Sequence, residues 1–129
     1  MVPNYRGRSW TEISLETIKN NYKIYKEKLP DSVEIMAVVK ADAYGHGDKE
    51  VAAAIQELGC KQFAVSNVHE ALRLREVHIQ GKILVLGYTP PHYMNAVYEN
   101  DITQAIPSEE YAEELVKNGV PVRCQFAID

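Results

Sequence analysis

The chain has 129 residues, of which 46% are hydrophobic and 25% charged, and its formal net charge is −4. This composition is that of an ordinary globular domain, and it excludes disordered, collagen-like and low-complexity classes. No apolar run approaches the roughly 18–20 residues that cross a bilayer, and the scattered charges argue against a nucleic-acid partner. Because Cys60 and Cys124 lie far apart, we expect reduced cytoplasmic thiols and neither a disulfide framework nor a metal site.

The apolar pattern predicts an alternation of strands and helices. Ser14 is placed to cap the first long helix, and Asn67 and Glu70 have the spacing of a capping box. The predicted elements, in chain order, are a strand at 10–13, a helix at 14–29, a strand at 34–39, a helix at 51–58, a strand at 62–65, a helix from 66–67, a strand at 82–86, a short helix at 90–99, a strand at 103–106, a helix at 107–118 and a strand at 122–128.

The spacing of the later strands predicts an α/β fold. Their centres fall near residues 37, 64, 84, 104 and 125, and steps of roughly 20–27 residues are typical of βα units in a parallel sheet. Five such steps fit either a small doubly wound sheet or part of a barrel. A complete (β/α)8 barrel takes about 250 residues, so the chain is too short for one.

The segment AVVKADAYGHG, residues 37–47, carries the candidate chemistry. Lys40 follows a nearly all-apolar strand, at the position where parallel α/β folds place their active sites. Burial there disfavours the charged ammonium and frees the amine to attack a carbonyl compound as a nucleophile. The alternative is a structural lysine whose stem is buried while its ammonium reaches solvent.

The residues after Lys40 allow both functional and structural interpretations. Tyr44 could donate a hydrogen bond to an anionic group held near Lys40, or its ring could simply pack on the rim of the sheet. Gly45 and Gly47 permit a tight turn but match no phosphate-binding glycine motif. His46 could act as an acid or base, although a cap of the following helix is the more ordinary role.

Taken together, residues 37–47 closely resemble the pyridoxal-phosphate lysine motif of bacterial alanine racemases, usually AVVKANAYGHG, with Asp42 in place of the usual asparagine. The family includes the membrane-anchored serine racemases of vancomycin-type glycopeptide resistance. Further segments that resemble the family are SWTEISL at 9–15, NN at 20–21, FAVS at 63–66, EALRLR at 70–75, ILVLG at 83–87 and FAID at 126–129.

The resemblance implies a fold and a function. The fold would be α/β, the N-terminal part of a pyridoxal-phosphate-binding TIM (β/α)8 barrel of fold type III, with residues 1–129 forming an incomplete barrel and the C-terminal β domain absent. The function would be racemisation of L- and D-alanine, or of L- and D-serine, supplying D-amino acids for peptidoglycan precursors. The full-length protein would be a homodimer in the cytoplasm, unless a membrane anchor outside this segment tethers it.

The resemblance also implies site residues. In the family, the lysine at the Lys40 position binds pyridoxal phosphate through its amine, and the tyrosine at the Tyr44 position hydrogen-bonds the cofactor phosphate. An apolar residue near the Leu86 position lies beside the cofactor, and no metal is involved. The freed lysine acts as one base, and a tyrosine from the partner subunit's C-terminal domain acts as the other. No residue of this chain is assigned to that second base.

Two departures from the family pattern carry expectations. Many alanine racemases have a lysine two residues before the aspartate that corresponds to Asp129, but this chain has Ala127 there. The network that orients the substrate-binding arginine is therefore expected to differ. That arginine and the one that faces the pyridine nitrogen lie beyond the segment, so we expect the isolated 129-residue chain to be inactive.

Three other functions stay open from the sequence. A type III decarboxylase shares the barrel and the lysine, but its motif around the lysine differs. A non-catalytic pyridoxal-phosphate carrier uses a similar barrel without a second domain, but its lysine context lacks AYGHG. The third possibility is a self-contained α/β binding module without a cofactor. Conversion of L- to D-alanine or D-serine by the full-length protein separates an enzyme from a carrier.

Overall fold

The computed structural model describes residues 9–128. Its helices are α1 (Leu15–Lys28), α2 (Lys40–Gly45), α3 (Asp48–Gln56), α4 (Val68–Glu76), α5 (Met94–Glu99) and α6 (Glu109–Asn118), and a 3-10 turn, Pro91–Tyr93, precedes α5. Its strands are β1 (Met36–Val38), β2 (Gln62–Val65), β3 (Lys82–Val85), β4 (Ile102–Ile106) and β5 (Arg123–Phe126).

The five strands form one parallel sheet in the order β1-β2-β3-β4-β5. Each strand therefore pairs with its predecessor in the chain, with α3, α4, α5 and α6 as the connections. A doubly wound sheet reverses its strand order at a switch point, and this sheet does not. The sequential order excludes the doubly wound alternative and is the arrangement of consecutive βα units in a barrel.

The two faces of the sheet differ in cover. On one face, which we call the helix-covered face, buried strand residues pack with buried residues of α3, α4 and α5 in the main core. On the other, which we call the inner face, a small cluster holds strand side chains only. The helix-covered face includes Phe63, Val65, Ile83, Val85 and Ile102, and the inner-face cluster consists of Ala64, Leu84 and Ala105 with Met36 packed against them.

Side-chain caps begin three helices where the sequence predicts them. Ser14 accepts a hydrogen bond from the Thr17 amide at 3.2 Å, and Ser108 accepts one from the Tyr111 amide at 3.2 Å. Asn67 likewise accepts from the Glu70 amide at 3.0 Å. These oxygens bind amides that have no partner within the helix. At the end of α6, Gly119 adopts a left-handed conformation, φ 79°, and closes the helix.

The predicted opening strand at 10–13 is wrong. Those residues are exposed and pair with no strand within 9–128, and the indole of Trp10 instead donates to the Glu12 carboxylate at 2.8 Å. The alternation of apolar and polar side chains there is real, but residues 10–13 are not part of the described sheet, which consists of β1–β5. The predicted strands at 34–39 and 122–128 also shorten, to β1 and β5.

The β5 edge of the sheet is much less covered than the centre. All four β5 residues are exposed, whereas three of the four residues in each of β2 and β3 are buried. Beside β5, an open apolar depression is lined by Ile106, Leu115, Val116, Val122 and Phe126. Within residues 9–128, no further strand pairs with β5 on this side of the sheet.

Candidate functional site

The candidate site lies where the strands end, at the edge that we call the carboxyl edge. Lys40 comes two residues after β1, and Leu86 comes directly after β3, where its amide donates to the Val65 carbonyl at 2.9 Å. Lys40 therefore lies at the carboxyl edge, as the sequence predicts.

The backbone that follows Lys40 is left-handed over four consecutive residues. The φ angles of Ala41, Asp42, Ala43 and Tyr44 lie between 50° and 56°. This conformation costs L-residues other than glycine about 1–2 kcal/mol each, and runs of it are rare. Strain of this kind persists only where the surrounding structure holds it, and it clusters at functional sites.

A buried carboxylate on α4 binds the start of this turn. One Glu70 oxygen accepts a hydrogen bond from the Ala41 amide at 2.9 Å, and the other accepts from the Ser66 amide at 2.7 Å and the Ser66 hydroxyl at 2.8 Å. Glu70 is only 6% exposed. Its carboxylate thus joins the backbone after β1 to the backbone after β2, next to Lys40.

These contacts keep Glu70 ionised. Burial alone would raise the pKa of Glu70, but the hydrogen bonds from Ser66 and Ala41, with the nearby charge of Arg73, outweigh burial and lower that pKa. The capping-box prediction is therefore half right. Asn67 caps α4, but the Glu70 side chain binds the residue before the cap rather than the cap itself.

A second set of contacts holds the far end of the turn. Asp42 accepts a hydrogen bond from the Asp48 amide at 3.0 Å, and its carbonyl accepts from the Gly47 amide at 2.9 Å. Asp48, 3% exposed, in turn binds Arg73 of α4 at 2.6 Å. An asparagine at position 42 offers the same side-chain carbonyl acceptor, so Asp42 fits the role that the usual asparagine can play.

The structure excludes the capping role of His46 and leaves the Tyr44 side chain exposed to solvent. The His46 ring lies 2.9 Å from the Ala43 carbonyl and does not cap α3, whose cap residue is Gly47. The predicted capping role is therefore wrong. Tyr44 is 62% exposed, so the alternative in which its ring packs on the rim is not what the structure has. Lys40 is half-buried rather than enclosed, and so less desolvated than the sequence suggests.

Ala127 also lies at the carboxyl edge. Its amide donates to the Ile106 carbonyl at 3.0 Å, which continues the backbone pairing beyond β4 and β5. By alternation with Gln125, which pairs with the inner-face residue Ala105, Ala127 takes the inner face. Asp129, the last residue of the FAID segment, lies outside the described residues.

Sequence reasoning missed the contacts of three charged residues with the turn. Glu70, Asp48 and Arg73 all support the turn, and two of them are buried. The sequence alone does not show that these residues are buried, because charged residues near the start of a helix are equally common on exposed helices. Only the structure, which shows their burial, marks them as unusual. Among residues 9–128, no group of three or more histidine, cysteine or acidic side chains could hold a metal ion, and no helix is long and apolar enough to cross a membrane.

Comparisons with known proteins agree with this arrangement. A family model described as "Alanine racemase, N-terminal domain" matches residues 13–129. Alanine racemase of Listeria monocytogenes is 41% identical over 130 residues, a match that covers the whole chain and 35% of the relative. An amino-acid racemase of Enterococcus faecalis is 38% identical over 122 residues, covering 95% of the chain and 17% of the relative.

A solved structure agrees in fold as well as sequence. The crystal structure of alanine racemase from Bacillus anthracis with bound L-Ala-P matches with a TM-score of 0.81 and 42% identity, covering 91% of the chain and 30% of that protein. The chain thus spans about a third or less of the proteins that it resembles. The parallel sheet corresponds to part of the TIM barrel of these proteins, and the chain belongs to the alanine racemase family.

Proposed function

We propose that this chain provides the lysine-bearing part of the pyridoxal-phosphate site of an amino-acid racemase that acts on alanine or serine. The observation that carries the proposal is the position of Lys40. It lies two residues after an apolar strand, at the carboxyl edge of a parallel sheet, and a strained turn with the sequence ADAYGHG follows it. Residues 1–129 would form part of the N-terminal barrel, and a C-terminal β domain would lie outside them.

The side chains present fit one side of the cofactor. Lys40 supplies an amine for the aldehyde, and Tyr44 supplies an exposed phenol that can donate to the phosphate. Leu86, 42% exposed at the same edge, supplies apolar surface for the ring. When bound, pyridoxal phosphate withdraws electrons from the amino acid and so makes its α-hydrogen acidic.

In this proposal, Lys40 has two tasks. Its amine would hold the cofactor aldehyde, and the same amine, when free, would move a proton to or from the α-carbon of the substrate on one face. Tyr44 holds the phosphate, and Leu86 limits the access of water to that side of the ring. Racemisation needs a second base on the opposite face. We assign that base to a tyrosine from a partner subunit in a homodimer, as the family resemblance implies.

The substrate class follows from the relatives and stays broad. The matched proteins include alanine racemases and one named only as an amino-acid racemase. Ala127, where many alanine racemases have lysine, lies at the same edge as Lys40 but does not by itself decide between alanine and serine. We propose a small substrate, alanine or serine, because the relatives include alanine racemases and the segment around Lys40 resembles the motif of that family. D-alanine or D-serine made in the cytoplasm would enter peptidoglycan precursors.

The site assignment is tested by trapping the cofactor. The full-length protein is loaded with pyridoxal phosphate, reduced with borohydride and digested, and the labelled peptide is mapped. We expect the label on Lys40. A label on Lys49 or Lys61 contradicts the assignment. The Lys40→Ala variant should lose the label while a Lys49→Ala control keeps it.

Catalysis is tested separately, because a pyridoxal-phosphate carrier would pass the trapping test. The full-length protein should convert L-alanine or L-serine to its D-isomer over time. The Lys40→Ala variant should lose at least about three orders of magnitude in rate, since it lacks both the attachment point and one base. If the loaded protein racemises neither amino acid, the proposal of an alanine or serine racemase is wrong.

A further inference from the structure

The strained turn after Lys40 needs a cause, because its own residues do not favour it. Ala41, Asp42, Ala43 and Tyr44 all prefer right-handed or extended backbone. Alanine in particular is the strongest right-handed helix former. The restraint must therefore come from contacts with the rest of the fold.

Glu70 makes the contacts nearest to Lys40. Its carboxylate accepts a hydrogen bond from the Ala41 amide, and this amide is part of the peptide bond between Lys40 and Ala41. The same carboxylate is fixed by Ser66, which follows β2. Because Ala41 is the first left-handed residue, this hydrogen bond holds the backbone at the point where its handedness changes.

The contact is an effective restraint for two physical reasons. Glu70 is buried and ionised, and hydrogen bonds from backbone amides to a carboxylate in such surroundings are about twice as strong as neutral ones. Its own position is fixed, because Asn67 caps the first turn of α4 and α4 is packed into the core through Val68, Ala71 and Leu74. The carboxylate thus transmits the rigidity of the core to the Lys40 peptide.

We propose that Glu70 is a positioning residue that holds the Lys40 backbone, and with it the Lys40 amine, in the geometry that binds the cofactor. This inference rests on the proposed function of Lys40. Glu70 itself does not touch the cofactor or the substrate in this proposal. It acts through the Ala41 amide and through the amide and hydroxyl of Ser66, and its replacement should weaken the cofactor site before it unfolds the domain.

The decisive variant is Glu70→Gln in the full-length protein. Glutamine has the same shape but one acceptor oxygen and one amino group, so it cannot accept from both the Ala41 and the Ser66 amides. The matched control is Glu76→Gln at the other end of α4. The Glu76 side chain is 67% exposed and lies 3.8 Å from the Lys49 ammonium, and it makes no hydrogen bond to the Ala41 or Ser66 amide, both of which bind Glu70.

Three readouts separate positioning from general stability. Hydrogen exchange at the Ala41 amide should speed up at least about tenfold in Glu70→Gln, while amides of β2 and β3 keep their protection. The affinity for pyridoxal phosphate, titrated by absorbance, should fall about tenfold, and kcat should fall more than the KM for the amino acid rises. Glu76→Gln should match the wild type in all three.

The outcomes distinguish the inference from the function on which it rests. If the wild type binds pyridoxal phosphate at Lys40 and Glu70→Gln equals it in Ala41 exchange and cofactor affinity, the positioning role is wrong. If the wild type does not bind the cofactor at Lys40, the proposed function fails, whatever Ala41 exchange shows. Should Glu70→Gln not fold, Glu70→Asp decides instead. Its shorter carboxylate keeps the charge but cannot reach both amides, and wild-type behaviour from it would also reject the role.

Discussion

Helix α4 runs from the carboxyl edge of the sheet towards the opposite edge, where the strands begin, which we call the amino edge. It places a charged side chain at each of the two edges. Near its start, Glu70 binds the backbone after β1 and β2. Near its end, Arg75 donates to four backbone carbonyls just before β3 and β4, those of Ile79, Gly81, Asn100 and Asp101. The two residues do similar work with opposite charge, one on amides and the other on carbonyls.

The difference between the edges is in what is being held. At the carboxyl edge the restrained backbone includes four consecutive left-handed residues and the candidate lysine. At the amino edge the left-handed residues, His78 and Asp101, are isolated ones of types that tolerate this conformation better. Strain is concentrated where the chemistry is proposed. The amino edge, by contrast, serves stability, which is how the two ends of barrel strands usually divide their work.

The largest effect is expected from breaking the amino edge. Arg75→Met should destabilise the domain by about 3 kcal/mol, because several partly buried carbonyls lose a charged donor together. Cofactor affinity measured on the folded fraction should change by less than about twofold, since the carboxyl edge is intact. Urea unfolding and a pyridoxal-phosphate titration measure the two quantities.

The control for Arg75 is Lys117→Met. Lys117 is 78% exposed and lies 3.7 Å from Glu113 on the same helix, so its loss should cost less than about 0.5 kcal/mol. A result in which Arg75→Met unfolds no more easily than Lys117→Met would show that the four contacts do not support the amino edge.

A pair of glycines tests the comparison with a smaller and more local change. Gly81 precedes β3 and Gly87 follows it, and an added methyl group would collide with the Lys61 carbonyl oxygen in the first case and the Ser66 carbonyl oxygen in the second. Each alanine variant should cost about 1–3 kcal/mol through the forced backbone shift. Only Gly87→Ala should also weaken cofactor binding, because Ser66 supports Glu70.

Each glycine variant serves as the control for the other. Thermal unfolding should place the two at similar stability, and the cofactor titration should separate them by at least threefold. Equal loss of cofactor affinity in Gly81→Ala and Gly87→Ala would mean that the site responds to overall stability rather than to the position of Ser66.

Local sequence patterns predicted most of the sheet. The strand over 62–65 is β2 itself, and Lys40 lies at the predicted edge. These features depend on short apolar runs and on the rule that active sites follow parallel strands, both of which are readable in one segment. The periodicity of apolar residues could not distinguish an open doubly wound sheet from a barrel segment, because the two differ in strand order, which depends on pairing between distant segments.

The turn itself could not be predicted from its residues. Nothing in KADAY favours the left-handed conformation, and the glutamate that holds it lies twenty-nine positions from Ala41. Within its own segment Glu70 fits a capping box, and that local interpretation hides its contact with the preceding βα unit. The contacts of Arg75 could not be predicted either, because the four carbonyls that it binds come from two loops that only the folded sheet brings together.

The smallest predicted effect concerns pH and distinguishes the two edges by charge. The pKa of Glu70 lies below its ordinary value because the Ser66 and Ala41 hydrogen bonds outweigh burial. An unfolded glutamate titrates near pH 4.3. Ionised Glu70 therefore contributes its full stabilisation above that pH, and the contribution is lost as the pH falls through the lower pKa of the folded state.

The free energy of unfolding should accordingly fall less steeply with decreasing pH in Glu70→Gln than in the wild type. Urea unfolding midpoints measured from about pH 7 down to pH 3 would show this difference. Glu76→Gln, which changes an exposed carboxylate, should keep the wild-type slope. Arg75 stays charged throughout this range, since a guanidinium does not deprotonate in proteins, so Arg75→Met should lower stability equally at every pH. If Glu70→Gln also lowers stability by the same amount at every pH, the Glu70 contacts do not depend on its charge, and the carboxyl edge is held by packing instead.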